Sequence, residues 1–259
     1  MPPDFSNNLT DYEKYRRAFP RRAFDELAAR QIGLPGQTIL DVGSGTGLIG
    51  DGLANIELHL IELDCNEILI RATSRRRNDN RLAFPTRAVV QSVVAKAEEC
   101  PFSGQLFDGV VVAQSWHWLH RVCAPGEIRR VLKPGNSVGI IYYMHVPMGR
   151  DIAGQTERLI LKDHPHWRHQ NSAGINGQVL RDLQSNGFEK IESLSFDVEE
   201  LFTVEQWTGY VRTLSICNEM SKPALAKFNF ELGDLLQAVE QPFVVMHRLF
   251  MAFARTPVV

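Results

Sequence analysis

Short apolar runs along the first half of the chain predict a series of β-strands. Thr38–Val42 and Leu58–Leu63 combine β-branched and aliphatic residues, and Arg87–Val94 follows with a weaker pattern. Phe107–Ala113 and Val138–Tyr143 are almost continuously apolar, which is typical of central parallel strands covered on both faces. The pattern therefore predicts a buried parallel sheet in this half of the chain.

Helical patterns separate these predicted strands. Ala23–Arg30 predicts an amphipathic helix that ends before a Pro-Gly pair. Asn66 is a suitable N-cap for a second helix, and Glu127–Leu132 predicts a crossover helix closed by Lys133-Pro134-Gly135. Because strands and helices alternate at this spacing, we expect an α/β fold with a doubly wound, mostly parallel sheet.

The pattern changes after Met144, but no linker-like segment marks a domain boundary. Late helices are predicted at 179–187, 205–218 and 223–240, and late strands at 189–198 and 243–254. We expect these strands to complete a seven-stranded sheet within a single domain over residues 1–259. Its predicted parts are a helical segment at 1–36, a core at 37–144, and insertions at 145–178 and 201–241 that form a helical lid.

The charges of the chain are balanced. Lys and Arg number 28 against 30 Asp and Glu in 259 residues, and 44% of the residues are hydrophobic. A sizeable core is therefore available, and a basic face that binds nucleic acid is not indicated. A local basic cluster of five arginines keeps RNA as an alternative partner, although a solvated helix end is the simpler interpretation: Arg71, Arg75, Arg76, Arg77 and Arg81.

Cysteine spacing and hydropathy indicate a protein of a reducing compartment. The four cysteines form no Cys-x-x-Cys pair, so neither a zinc site nor a disulfide framework is predicted. No apolar run approaches the roughly 18 residues of a membrane span, and the first residues lack the pattern of a signal peptide. We expect a cytoplasmic protein with no metal and no membrane partner; the oligomeric state stays open.

A glycine-rich loop after the first predicted strand is the clearest candidate for a binding site. Residues 39–50 read Ile-Leu-Asp-Val-Gly-Ser-Gly-Thr-Gly-Leu-Ile-Gly. Glycines in this position let the backbone turn sharply and approach a ligand at the carboxyl edge of the sheet. The loop contains a Gly-x-Gly-x-x-Gly match at Gly45, Gly47 and Gly50, so a dinucleotide site must be considered.

Two features of this loop argue against a dinucleotide. When the first glycine is the one that directly follows the strand, Leu48 occupies the place of the third glycine. The carboxylate of Asp41 at the strand end repels a pyrophosphate but attracts a cation. S-adenosylmethionine carries a sulfonium and an ammonium group, so the loop favours this cofactor over NAD.

Several motifs now resemble one family. Asp41-Val-Gly-Ser-Gly-Thr-Gly47 resembles motif I of class I S-adenosylmethionine-dependent methyltransferases, and Phe107–Trp118 resembles motif IV of trans-aconitate methyltransferase-like small-molecule enzymes. Four further stretches follow the order of that family: Tyr12-x-x-Tyr15-Arg16, Leu63-Asp64-Cys65-Asn66, Ala97–Phe102 and Glu127–Gly135. The resemblance covers residues 12–143 and implies a Rossmann-like methyltransferase fold whose core binds S-adenosyl-L-methionine and releases S-adenosyl-L-homocysteine.

The resemblance also implies roles for individual residues. Asp64 would accept the two ribose hydroxyls, and the backbone N–H of Ala97 would meet the adenine ring. The other residues assigned to the cofactor lie in or beside the glycine loop, after the fourth strand and in the N-terminal segment, where an arginine can pair with the methionine carboxylate: Tyr15, Arg16, Asp41, Gly43, Ser44, Gly45, Gly47 and Gln114.

Two departures from the family pattern leave choices open. Glu62 is a second acid near the end of the second strand, so either Glu62 or Asp64 could hold the ribose. Lys96 stands where many members have an aspartate for the adenine amino group, so that contact is lost or moves to Glu98.

The segment after the fourth strand provides the candidate catalytic residue. His117 lies at the carboxyl edge of the sheet, and an unperturbed histidine titrates near pH 6.5, which suits a general base. The alternative is that His117 packs this turn and makes only a structural hydrogen bond. The residues expected to shape the acceptor pocket are aromatic or histidine side chains: Trp116, Trp118, Tyr143 and His145.

Three functions are compatible with these observations. The favoured hypothesis is methyl transfer to an O, N or carboxylate of a small metabolite by in-line displacement, for which alignment and exclusion of water suffice. An RNA or protein methyltransferase is a second hypothesis, although the Ala113-Gln114-Ser115-Trp116 segment lacks an Asn/Asp-Pro-Pro-Tyr motif. A non-catalytic adenosyl-ligand-binding protein is the third.

Overall fold

The computed structural model describes residues 9–80, 86–167 and 172–258 and contains one seven-stranded sheet. The strands are β1 Thr38–Val42, β2 His59–Asp64, β3 Val89–Val94, β4 Phe107–Ala113, β5 Leu132–His145, β6 Glu189–Phe202 and β7 Phe243–Arg255. They lie in the order β3-β2-β1-β4-β5-β7-β6, and β1 pairs in parallel with both β2 and β4. Parallel pairing continues from β2 to β3 and from β4 to β5.

Helices connect these strands, which confirms the predicted α/β class and the mostly parallel sheet. The helices are α1 Leu9–Tyr15, α2 Arg21–Ala29, α3 Leu48–Leu53, α4 Glu67–Asn80, α5 Cys123–Val131, α6 Ile152–Asp163, α7 Ser172–Ser185, α8 Val204–Arg212, α9 Ser215–Glu219 and α10 Lys222–Leu236.

The chain divides into two compact units, each assembled from separate stretches of sequence. The sheet unit comprises residues 18–142, 174–195 and 250–259, and the helical unit comprises residues 1–17, 143–173 and 196–249. The predicted division into a core and two lid insertions stays a prediction.

The core of the sheet unit lies on its central strands. Ile39 and Leu40 of β1 and Val110 and Val111 of β4 are fully buried. The strand order reverses between β1 and β4, because β1 is followed in sequence by its neighbour on one side and β4 lies on the other. In doubly wound sheets ligands bind outside the carboxyl ends of the strands at such a switch point.

The helical unit has a core of its own, centred on aromatic side chains. Phe202, Trp207 and Tyr210 are buried together, and Leu232 of α10 packs into the same cluster. Helix α8 begins at a capping box in which Thr203 and Gln206 satisfy each other's backbone N–H groups.

Several element boundaries differ from those predicted. Strand β5 begins at Leu132, which pairs with Phe107 before an irregularity in the register, so the strand is longer than the apolar run at 138–143. The helix predicted at 205–218 is two helices, because the hydroxyl of Thr213 donates to the carbonyl of Tyr210 and the chain turns at Leu214. Asn66 caps α4 as predicted, since its side chain accepts from the backbone N–H of Ile68.

None of the helices in the described part of the chain combines the length and the apolar character needed to cross a membrane.

The packing of α1 against α8 leads to a testable prediction about the stability of the helical unit. A Cβ placed on Gly209 would lie 2.1 Å from Cδ2 of Tyr15, so Gly209→Ala must push α1 away from α8. Overpacking of this kind costs about 1–3 kcal/mol, and we expect a lower midpoint in chemical denaturation followed by near-ultraviolet circular dichroism.

Gly233→Ala in α10 is the matched control. Nothing lies within 4 Å of a Cβ at Gly233, so the exchange should raise helix stability by up to about 1 kcal/mol. Equal shifts for the two variants would show that the contact between Gly209 and Tyr15 does not hold α1 in place.

Candidate functional site

The glycine loop leaves β1 in a conformation that requires glycine. Gly43, Gly45 and Gly47 have φ angles of 68°, 56° and 77°. A Cβ on Gly43 would lie 2.6 Å from the Cβ of Ser115, whereas a Cβ on Gly45 would meet nothing within 4 Å. Gly43 is therefore demanded by close packing against the end of β4, and Gly45 faces open space that a ligand can use.

Helix α4 holds this loop by its carbonyl oxygens. The hydroxyl of Thr73 donates to Gly45 O at 3.2 Å, Arg76 Nη2 to Thr46 O at 2.8 Å, and Arg77 Nη2 to Gly47 O at 2.9 Å. Three side chains on two successive turns of one helix thus fix three consecutive carbonyls. The sequence predicted the loop but gave no signal for this clamp, because the residues lie far along the chain.

The basic cluster of α4 is only partly the solvated helix end that the sequence predicts. Arg71 pairs with Glu67 at the surface, in agreement with that interpretation. Arg76 pairs with Asp51 at 2.9 Å, and Arg77 pairs with Glu62, whose side chain is fully buried. For these two arginines the prediction is wrong, because each forms an ion pair with an acid that lies far from it in the sequence. Arg81 lies outside the described residues.

Two acids at the end of β2 have different surroundings. Glu62 is bound by Arg77 and lies 3.3 Å from the hydroxyl of Ser92. Asp64 is 9% exposed and accepts the backbone N–H groups of Gly45 at 2.9 Å and Asn66 at 2.8 Å. Asp64 therefore lies at the open edge of the strand beside the glycine loop, whereas the side chain of Glu62 is buried and already forms an ion pair.

Asp41 is a buried carboxylate without a partner. It is 1% exposed, and among the described residues neither of its oxygens has a hydrogen-bond partner. Burial, and after it the carboxylate of Glu62, raises the pKa of Asp41 well above its usual range. An ionised carboxylate in this environment needs a cation, so the site fits a ligand with a positive charge and not a pyrophosphate.

The turn after β4 joins this edge of the sheet. The hydroxyl of Ser115 donates to Val42 O at 2.8 Å, which ties the end of β4 to the end of β1. Gln114 has a φ of 58°, an unusual value for a residue with a side chain, so the backbone turns abruptly at the strand end. Trp116–Trp118 then forms one turn of 3₁₀ helix.

His117 is oriented by residues for which the sequence pattern carries no signal. Its Nδ1 lies 3.3 Å from the hydroxyl oxygen of Tyr142, and its ring lies 4.6 Å from the ring of Trp118. The indole N–H of Trp116 donates to Asp182 at 3.1 Å, and Asp182 also accepts from Arg121. Asp182 and Tyr142 thus fix both sides of the turn that carries His117.

The predicted adenine segment forms a turn of 3₁₀ helix after β3. Ala97 is 5% exposed, and Lys96 precedes this turn in an extended conformation. The carboxylate of Glu98 accepts the backbone N–H of His120 at 2.7 Å, so one of its oxygens is already engaged. The adenine contacts of Ala97 and Glu98 stay predictions.

Four predicted site residues belong to the helical unit. Tyr15 donates its hydroxyl proton to Glu205 at 2.7 Å, and Arg16 lies over the rings of Tyr12 and Tyr210. The hydroxyl of Tyr143 donates to Glu200, and Nδ1 of His145 lies 3.2 Å from the hydroxyl oxygen of Tyr210. Their assignment to the cofactor or to the acceptor stays a prediction.

Across the described ranges, no three His, Cys, Asp or Glu side chains are grouped so that they could hold a metal ion. The histidine-rich stretch at 164–169 falls partly outside those ranges.

Comparisons with known proteins show what this chain is similar to. Residues 40–140 match the family model described as a methyltransferase domain. An uncharacterized methyltransferase from Mycobacterium tuberculosis is 30% identical over 145 residues, which is 55% of this chain and 53% of that protein. The chain therefore spans about half the length of the curated relatives it matches.

Solved structures share the fold over most of the chain. A type II methyltransferase structure from Anaeromyxobacter dehalogenans covers 94% of this chain and 99% of its own, at 24% identity and a TM-score of 0.67. Phosphoethanolamine N-methyltransferase 2 from Haemonchus contortus, solved with phosphomonomethylethanolamine and S-adenosylhomocysteine, covers 97% of this chain and 57% of its own, at 18% identity and a TM-score of 0.58.

The matched region is similar to a methyltransferase domain, and the solved structures share the fold, in agreement with the resemblance that the motifs carry. The narrower resemblance to trans-aconitate methyltransferases stays a prediction.

The unpaired state of Asp41 predicts how stability depends on pH. Because its pKa is raised in the folded protein, unfolding releases a proton, and Asp41 destabilises the fold increasingly as the pH rises above about 4. Asp41→Asn removes this penalty, so we expect the ligand-free variant to be about 1–3 kcal/mol more stable than wild type near pH 7.

The measurement is urea denaturation at several pH values, with Asp108→Asn as the control. Asp108 has partners, Lys133 at 2.6 Å and the backbone N–H of Thr38 at 2.9 Å, so its exchange should destabilise the protein. A loss of stability in Asp41→Asn at neutral pH would show that the carboxylate is already satisfied in the ligand-free protein.

Proposed function

We propose that the protein transfers a methyl group from S-adenosyl-L-methionine to an oxygen, nitrogen or carboxylate of a small metabolite. The observation that carries this proposal is the unpaired, buried carboxylate of Asp41 beside a glycine loop, with Asp64 at the end of the next strand. One acid suits a cation and the other suits a ribose diol, which is the pair of groups that this cofactor presents.

In the proposed binding mode, each residue around the glycine loop contacts a different part of the cofactor. Asp41 neutralises the positive charge of the methionine part, and the open side of Gly45 admits it closely. Asp64 accepts the ribose hydroxyls, and Glu62 is excluded from that role by its pairing with Arg77. Ala97 would meet the adenine ring, and the carboxylate contact that the resemblance implies for Tyr15 and Arg16 stays a prediction.

The chemistry requires alignment and little else from the protein. The bound cofactor supplies a methyl group on a sulfonium, which loses its positive charge when the methyl leaves. Orientation of the acceptor alone contributes up to about 7–11 kcal/mol to such a displacement. For an acceptor with an O–H group, His117 takes the proton, and Tyr142 orients the imidazole ring through Nδ1.

The rival hypotheses are less well supported. An RNA methyltransferase would use free cations for phosphates, but Arg76 and Arg77 hold the glycine loop and pair with Asp51 and Glu62. NAD would bring a pyrophosphate to the edge that carries the Asp41 carboxylate. The relatives' names support methyl transfer, and the cytoplasmic location stays a prediction.

Calorimetric titration with S-adenosylmethionine, S-adenosylhomocysteine and NAD tests the cofactor. We expect both adenosyl ligands to bind and NAD not to bind. Asp64→Ala should weaken both by about 10- to 100-fold, because it removes charge-assisted hydrogen bonds to the ribose.

Glu99→Gln is the control for this titration, since Glu99 is an exposed acid of the adenine segment. Absence of adenosyl binding would overturn the proposed function. Binding without methyl transfer to any of a panel of phenols, carboxylic acids and amines would favour the non-catalytic alternative.

His117→Asn tests the base. With an acceptor found from that panel by release of S-adenosylhomocysteine, we expect kcat to fall about 100- to 10,000-fold for a hydroxyl acceptor, with little change in KM. The reason is that a proton acceptor is lost while the aromatic turn is kept. The pH dependence of kcat should lose its acid limb in the same variant.

Tyr142→Phe is the companion variant, because it removes only the hydroxyl that orients the ring. We expect a smaller loss of kcat than in His117→Asn. An equal loss for acceptors with and without an ionisable O–H group would contradict the base role and support a packing role for His117.

A further inference from the structure

Buried polar atoms without a hydrogen-bond partner concentrate in two places among the described residues. One set surrounds the glycine loop and includes Asp41 and Ser44. The other lies in the helical unit and includes Arg16 Nε, Arg17 Nε and His247 Nε2. Buried polar groups in folded proteins nearly always have hydrogen-bond partners. A cluster of exceptions therefore needs an explanation, and at the glycine loop the proposed explanation is a bound ligand.

Nε2 of His247 is a buried ring nitrogen of the helical unit without a hydrogen-bond partner among the described residues. Its side chain is fully buried, and its Nδ1 lies 3.2 Å from the carbonyl oxygen of Val245. Because a carbonyl only accepts, Nδ1 carries the proton. Burial lowers the pKa of His247 to about 4, with further lowering by Arg17 and Arg16, so the ring is neutral near pH 7. Nε2 is therefore an acceptor that needs a donor.

Aromatic rings surround this imidazole. Phe202 stacks on it at a centroid distance of 5.5 Å and an interplanar angle of 18°. The rings of Tyr143 and Tyr210 lie 5.3 Å and 5.5 Å away. Aromatic rings thus surround the imidazole that carries Nε2, and such surroundings favour a planar ligand.

Arg17 supplies an unsatisfied donor at the same cluster. Its guanidinium lies 4.0 Å above the centroid of Phe202, and its Nη2 donates to Leu201 O. Its Nε lies 3.6 Å from a carboxylate oxygen of Glu200, which is too far for a hydrogen bond. Glu200 also accepts the hydroxyl of Tyr143, so its charge is shared.

Together, the charges and hydrogen-bonding groups of this cluster determine which kind of ligand it can bind. Arg16 and Arg17 outweigh Glu200 by one positive charge, which suits an anion, and a guanidinium fork prefers a carboxylate. We propose that Arg17, Phe202, Tyr143 and His247 form a binding site for a planar carboxylate that also carries a hydroxyl group. The carboxylate meets Arg17, and the hydroxyl donates to Nε2 of His247.

This site is argued from the helical unit alone, and only the role of such a ligand as the methyl acceptor rests on the proposed function. The probes are benzoate and its 3- and 4-hydroxy derivatives, titrated into the full chain with and without S-adenosylhomocysteine. We expect one hydroxybenzoate to bind about tenfold more tightly than benzoate, as one hydrogen bond to a buried acceptor provides.

Two substitutions of His247 form a matched pair. His247→Asn keeps a donor for Val245 O and deletes the group at Nε2, so the advantage of the hydroxybenzoate should disappear while benzoate binds as before. His247→Gln keeps a polar group near Nε2 and should retain part of the advantage. Arg17→Met should abolish binding of all three probes.

Each result decides the proposal. No binding of any probe at millimolar concentration would overturn it, and so would equal weakening of benzoate and hydroxybenzoate by His247→Asn, which indicates a structural role. Should that variant fail to fold, the comparison of benzoate with hydroxybenzoates in the wild type remains decisive. Titration with S-adenosylhomocysteine is a separate measurement, so failure of this site and failure of the proposed function are distinguishable.

Discussion

The glycine loop depends on a buried ion pair beneath it. Arg77 contacts Glu62, which is fully buried, and donates in addition to Gly47 O. Two charges removed from water are tolerable only when each satisfies the other, and breaking such a pair costs about 3–5 kcal/mol. Because Arg77 belongs to α4 and Glu62 to β2, the pair fixes both elements against the loop, and the turn after β1 is set by tertiary structure as much as by its glycines.

This arrangement leaves the edge of the sheet with an excess of negative charge. Asp41, Glu62 and Asp64 lie at the ends of two adjacent strands, and Arg77 is committed to Glu62. The carboxylate of Asp64 accepts hydrogen bonds from backbone N–H groups. Among the described residues, the carboxylate of Asp41 is therefore the one left with uncompensated charge. Folded proteins tolerate such local violations mainly at functional sites, where a ligand removes them. The ligand-free protein is thus less stable than its core allows.

The sequence predicted those features that depend on neighbouring residues. The central strands, the Asn66 cap and the glycine loop followed from local pattern and turn chemistry. Features that depend on distant partners did not follow. The arginines of α4 resembled a solvated helix end, and only the structure pairs Arg77 with Glu62. Asp182 gave no signal either, because its bond to Trp116 joins residues 66 positions apart.

The unsatisfied atoms of each unit indicate what that unit could bind. At the glycine loop they include both carboxylate oxygens of Asp41 and the hydroxyl of Ser44, for which a cation or a hydrogen-bond donor is a suitable partner. In the helical unit they include Nε of Arg16 and Arg17 and an imidazole nitrogen of His247, for which an anion that also carries a hydroxyl group is a suitable partner. The two proposed ligands therefore differ in chemistry, and each is tested by a titration of its own.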